Sequence, residues 1–116
     1  MDAGPQRSQD GRRDRFVAQV RPEVHTKYVV FYESADDVRS KAPAHFPAHQ
    51  ARYQEFHERG TLLMLGTFAD PQGDGSMAVF TSREDAEEFV AGDPFVRHGV
   101  VRSWRILEWN EVLLKP

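Results

Sequence analysis

The chain has 116 residues, is 40% hydrophobic and 28% charged, and carries a net charge of -3. These values fit one soluble domain and give no electrostatic case for binding nucleic acid or an anionic membrane surface. It has no cysteine and no apolar run of membrane-span or signal-peptide length, which excludes disulfides, thiol catalysis and thiolate metal sites and points to the cytoplasm.

Residues 1–25 read as an N-terminal extension, expected to be a flexible tail, ahead of a single domain over 26–116. Arg7, Arg12, Arg13, Arg15 and Arg21 are nearly matched there by Asp2, Asp10, Asp14 and Glu23, so the tail is not a basic arm. Phe16-Val17-Ala18-Gln19-Val20 is the one stretch of it that reads as a docking strand or turn.

Lys27-Tyr28-Val29-Val30-Phe31-Tyr32-Glu33 is β-branched and aromatic on both faces, the pattern of a central strand. Ser34-Ala35-Asp36-Asp37 breaks it. Pro43 and Pro47 then restrict where the first long helix begins, because proline is comfortable only in a first turn. Phe46, His49, Tyr53 and Phe56 recur at the spacing of one helix face, which makes His49 the polar member of an apolar stripe. Gly60 is placed to end that helix as its C′ residue.

Thr61 to Phe68 is a second apolar strand. Asp70-Pro71-Gln72-Gly73-Asp74-Gly75 is dense turn chemistry, so Ser76 to Thr81 is expected to return antiparallel through a hairpin. Ser82 caps a second helix with acids in its first turn and the stripe Ala86, Phe89, Val90, whose next member is Asp93. Pro94 disfavours helical backbone at Asp93 and ends that helix. Val100 to Trp109 is a last strand, with Val100, Trp104 and Ile106 on one face and Val101, Leu107 and Trp109 on the other. The order β-α-β-β-α-β is the split unit of ferredoxin-like α+β folds: an antiparallel four-stranded sheet with two helices on one face. Its other face needs a cover, and a homodimer is the expected solution.

In such a fold both helices share one face of the sheet, so His49 and Asp93 are placed to meet, the carboxylate orienting an imidazole that acts as general acid or base. Spacing alone leaves open that His49 is a satisfied core histidine and Asp93 a cap or turn residue. His45 and His49, four apart, are a weak metal pair, since catalytic zinc usually takes three protein ligands, and no metal is expected. The Asp70–Gly75 loop lacks calcium-loop spacing. His57 and His98 read as surface residues, and Ser76, at a strand start, as a possible donor to a ligand. Trp104 and Trp109, five apart, fall on opposite strand faces and make no joint stacking platform.

Pro47-Ala48-His49-Gln50-Ala51-Arg52, Gly60 with Leu62-Leu63, Gly66, and Asp93-Pro94-Phe95 followed by Gly99 resemble the YciI-like (YCII-related) family over roughly residues 27–112. The resemblance implies a ferredoxin-like fold of the dimeric α+β barrel type. It also implies a His-Asp dyad, here His49 and Asp93, in a pocket near the helices, with Gly66 and Phe95 beside the substrate. Some relatives are dehydrochlorinases or other lyases of aromatic substrates. Two departures stand out: Gly66-Thr67 replaces a frequent Gly-Pro, and the N-terminal extension lies outside the family pattern.

The expectation is therefore a cytoplasmic homodimer performing general acid/base chemistry on a small cyclic or aromatic molecule, with no cofactor. The rivals are a non-catalytic ligand-binding or regulatory module and a cofactor-independent monooxygenase of the dimeric α+β barrel type.

Overall fold

Period-two alternation along β1 (His25–Ser34) sends Tyr28, Val30 and Tyr32 toward the helices, where Val30 and Tyr32 are buried. The structure, a computed structural model, describes residues 25–113; the expected N-terminal extension, with Phe16–Val20, lies outside the described residues except for residue 25, where β1 begins. One compact unit, Thr26–Trp109, carries the site. After β1 come α1 (Val38–Glu58), β2 (Leu62–Thr67), α2 (Pro71–Asp74), β3 (Ser76–Phe80), α3 (Arg83–Gly92), α4 (Pro94–Arg97) and β4 (Val101–Glu111). The sheet order is β2-β3-β1-β4, with β3 antiparallel to both β1 and β2. This is the antiparallel, ferredoxin-like arrangement expected from the β-α-β-β-α-β order.

The register aligns short polar groups across three strands. Ser76 on β3 pairs with Tyr32 on β1 and with Thr67 on β2, one row away from Ala78 paired with Val30 and Leu65. Above that floor the core closes on three aromatic rings, Phe56, Phe80 and Phe89, which stand edge-on or tilted with centroids 5.3 to 6.4 Å apart. All three are at most 1% exposed, and each contributes about 1.5–3 kcal/mol of apolar burial.

The start of α1 differs from expectation. It begins at Val38, so Pro43 and Pro47 both lie well inside it. Both prolines are exposed, so the carbonyls of Arg39 and Pro43, which lose their helical partners, face water that takes their place. The first turn is also fixed from elsewhere: Gln72 Oε1 accepts the Val38 N–H at 3.0 Å while Gln72 Nε2 donates to the Ala35 carbonyl at 2.8 Å. The far end follows the local rule. Gly60 takes φ +86°, Gly60 N–H donates to His57 O and Thr61 N–H to Phe56 O, a Schellman motif.

The Asp70–Gly75 connection is a second correction. It is not a plain hairpin turn but carries the one-turn helix α2, capped by the Asp70 carboxylate on the Gly73 N–H at 3.2 Å. Gly75 leaves it at φ +75° and packs directly on β1, where a Cβ would collide with the Tyr32 carbonyl. In α3, Ser82 accepts from the Asp85 N–H at 3.1 Å and donates to its carboxylate at 2.7 Å, as a capping pair.

Candidate functional site

Pro94 sets the geometry of Asp93. It holds residue 93 at φ -69°, ψ 122°, so α3 stops there and α4 starts with Asp93 as its N-cap. The end of α3 is held by Arg52 of α1, whose guanidinium donates to Phe89 O at 3.1 Å and Glu88 O at 2.7 Å and lies over the Phe56 and Phe89 rings. Gly92 leaves room for that guanidinium. The Asp93 carboxylate is thereby placed, fully buried, against α1.

Three donors converge on it. His49 Nδ1 lies 2.7 Å from Oδ1, the Phe95 N–H donates to Oδ1 at 3.1 Å, and the Tyr32 hydroxyl donates to Oδ2 at 2.6 Å. A buried carboxylate without such partners costs several kcal/mol, so the cluster is what allows an acid at this position. A carboxylate only accepts, so the hydrogen between the two groups sits on Nδ1, and in the neutral imidazole Nε2 is then the lone-pair acceptor. Burial pushes the Tyr32 phenol well above its ordinary value; the Asp93 charge and hydrogen bond push the same way, and Arg52 opposes them weakly. Tyr32 is thus held as a donor across the physiological range.

Aromatic rings fix the imidazole plane. Phe95 stacks on it with centroids 3.9 Å apart and planes 7° from parallel, while Tyr53 meets it edge-on at 5.3 Å. At 7% exposure His49 is buried, yet it borders a cavity of about 340 Å³. Its other walls are Val30 and Tyr32 of β1, Phe46 and Tyr53 of α1, Leu65 to Thr67 of β2, Ser76 to Ala78 of β3, Phe89 of α3 and Phe95 of α4. No Lys, Arg, Asp or Glu lies among the described lining residues.

The sequence-derived candidates His49, Gly66, Ser76 and Phe95 therefore lie on one cavity, with Asp93 behind His49. Asp93 is also the cap residue of the alternative reading, since one of its oxygens serves His49 and the α4 N-terminus together. Gly66 meets no atom that a Cβ would touch, so its glycine is not demanded by packing. His45 does not join His49: it stacks on His98 with centroids 4.3 Å apart. Among the described residues no group of three or more His, Asp or Glu is placed to hold a metal ion. His57 and His98 are exposed.

Tyr32 and Arg52 were not singled out from the sequence. For Tyr32 a signal existed: a tyrosine at an inward position of a buried strand needs a partner for its hydroxyl. The role of Arg52 depends on carbonyls that face it only once α3 is packed.

The described residues include no helix long and apolar enough to cross a membrane. The family model of the YCII-related domain matches residues 26–110. The chain is 34% identical over 95 residues to Protein YciI of Escherichia coli O6:H1 and to that of Shigella flexneri, covering 73% of this chain and 97% of each relative. Among solved structures it is similar to the 5-chloro-2-hydroxyhydroquinone dehydrochlorinase of Burkholderia phenoliruptrix AC1100 in complex with 2,5-dihydroxybenzoquinone. That match has a TM-score of 0.57 and 17% identity over 72% of this chain and 92% of the other, a likeness of fold, that of the dimeric α+β barrels.

Proposed function

This chain belongs to the YCII-related family, and from that premise we propose that it is an enzyme in which His49 moves a proton on a small aromatic molecule bound in the cavity. The observation that carries the reading is the His49–Asp93 contact of 2.7 Å beside an apolar cavity of about 340 Å³. His49 Nε2 takes a proton from a substrate O–H and returns it to the ring carbon that bears the leaving group, giving the keto tautomer. The imidazolium so formed is stabilised by Asp93, whose other oxygen is held by Tyr32. Loss of a second hydroxyl proton to Nε2 lets the electron pair so freed expel the leaving anion from that sp3 carbon, and the proton on Nε2 then passes to water, so a quinone and the acid of the leaving anion result. Loss of HCl from a chlorinated hydroxyhydroquinone, the reaction named for the structural neighbour, is the first to assay. Phe46, Tyr53 and Phe95 suit a planar ring, Gly66 leaves its edge open, and Ser76 is a hydroxyl donor for a ring oxygen. No step calls for a cofactor.

A homodimer is part of this proposal. Met64 is 62%, Trp104 47% and Leu107 42% exposed on strands β2 and β4 at the two sheet edges, apolar surface that a second copy would cover. Light scattering is expected to give twice the 13.3 kDa chain mass. The cysteine-free sequence fits a cytoplasmic location.

Proton transfer is measurable without the natural substrate. In D2O, ring hydrogens of polyhydroxybenzenes exchange slowly, and NMR follows the loss of signal. The parent is expected to speed the exchange, and His49→Gln to lose about 100- to 10,000-fold of that acceleration. A parent no faster than buffer, with the ring still bound, contradicts catalysis and favours the ligand-binding module.

A further inference from the structure

The stripe that carries His49 extends further than the cavity beside it. Arg39, Ala42, Phe46, His49, Tyr53 and Phe56 recur in alternating steps of three and four along α1. Its N-terminal part borders a second cavity of about 280 Å³, lined by Val38, Arg39, Ala42 and Phe46 of α1 facing Ser34, Pro71 and Val101. The two cavities share Tyr32, Phe46, Thr67, Ser76 and Phe95 as walls. With five walls in common, the two cavities adjoin along α1 as two lobes on either side of those residues.

The lobes differ in charge. Arg39 is the one permanently charged residue among the described lining residues of both, and its side chain has no hydrogen-bond or ion-pair partner among the described residues. The acids just before it do not neutralise it: Asp36 pairs with Arg102 at 3.3 Å, and Asp37 makes no ion pair among the described residues. Ser34 is occupied, donating to the Pro71 carbonyl at 2.6 Å. A guanidinium at the wall of an otherwise apolar lobe matches a carboxylate.

Resting on the reading of the first lobe as the ring site, the geometry points to a ligand of definite shape: an aromatic ring beside His49 with an anionic tail that reaches Arg39 through the second lobe. Ten residues of helix separate His49 from Arg39, about 15 Å along the axis. The Arg side chain spans part of that distance, so the tail is a short chain of a few atoms. Arg39 is a specificity residue, selecting acidic aromatic compounds over neutral ones.

Three probes test this: phloretate (a para-hydroxyphenyl ring with a propanoate tail), its primary amide phloretamide, and para-ethylphenol. Binding is followed by the Met77 methyl resonance for the first lobe and by calorimetry. The parent is expected to bind phloretate about fivefold more tightly than phloretamide, as one partly exposed ion pair allows. Arg39→Gln should equalise the two, Arg39→Glu should favour the amide, and para-ethylphenol should bind all three proteins alike. A phloretate preference that is missing in the parent, or that survives in Arg39→Gln, overturns the assignment of Arg39 while binding of para-ethylphenol leaves the ring site standing. If none of the probes shifts Met77 in the parent, the ring site fails and the tail assignment fails with it.

Discussion

The two halves of α1 present one stripe of side chains to the two lobes but are held in place by different means. The C-terminal half, from His49 to Glu58, is fixed by its own packing: Phe56 is fully buried, Arg52 ties it to α3, and the Schellman turn at Gly60 closes it. The N-terminal half contains Pro43 and Pro47, is largely exposed, and is fastened at its tip by Gln72. Under the proposed function, each half suits a different task. A proton-transfer group must be held within a fraction of an ångström, and the half that carries His49 is the more closely packed one. Recognition of a tail tolerates looser support, and the half that carries Arg39 has it.

Matched substitutions test that contrast. Phe56→Ala should cost about 3–5 kcal/mol by urea unfolding, whereas Phe46→Ala, at a residue 42% exposed, should cost about 1 kcal/mol. Equal losses would mean that the halves are not differently supported. Next in size is a gain. Pro47→Ala restores a helical N–H in the loosely held half and should stabilise the protein by about 1–3 kcal/mol, seen as a higher urea midpoint. No gain would show that the surroundings of Pro47 are adapted to the break.

Tyr32→Phe should cost about 1–2 kcal/mol at neutral pH and change the alkaline limb. The folded phenol is raised above its unfolded value of about 10. Above pH 10 the unfolded chain therefore loses this proton first, and stability falls with rising pH. The parent should lose stability more steeply than Tyr32→Phe between pH 10 and 11; parallel curves would deny that the phenol is held neutral. The smallest effect is Gln72→Ala, about 1 kcal/mol, with amide exchange rising in the first turn of α1 and unchanged near Phe56.

The legible parts of this molecule were those governed by neighbours in the chain. Gly60, Ser82 and Pro94 act within a few residues, and each ends or starts its helix where local rules place it. The stripe through His49 is likewise a property of spacing. The start of α1 was not legible, because the penalty of Pro43 and Pro47 is local while what offsets it is not: water on one side and Gln72, 34 residues ahead of Val38, on the other. That error also hid the second lobe, whose wall begins at Val38. The helix α2 escaped notice because four residues show no periodicity. The bond from Tyr32 to Asp93 joins residues 61 apart, and only the assembled sheet and helices bring them together.

In the proposed mechanism Asp93 holds the hydrogen of His49 on Nδ1 and leaves Nε2 free to take a proton. Long-range nitrogen–proton NMR of the histidine rings, in the parent and in Asp93→Asn at neutral pH, reads this directly. One Nδ1–H tautomer is expected for His49 in the parent, with a hydrogen-bonded Nδ1 proton that is lost or shifted in Asp93→Asn. Adding para-ethylphenol is expected to perturb Nε2 rather than Nδ1. An Nε2–H tautomer in the parent, or identical His49 spectra in the two proteins, would contradict this mechanism.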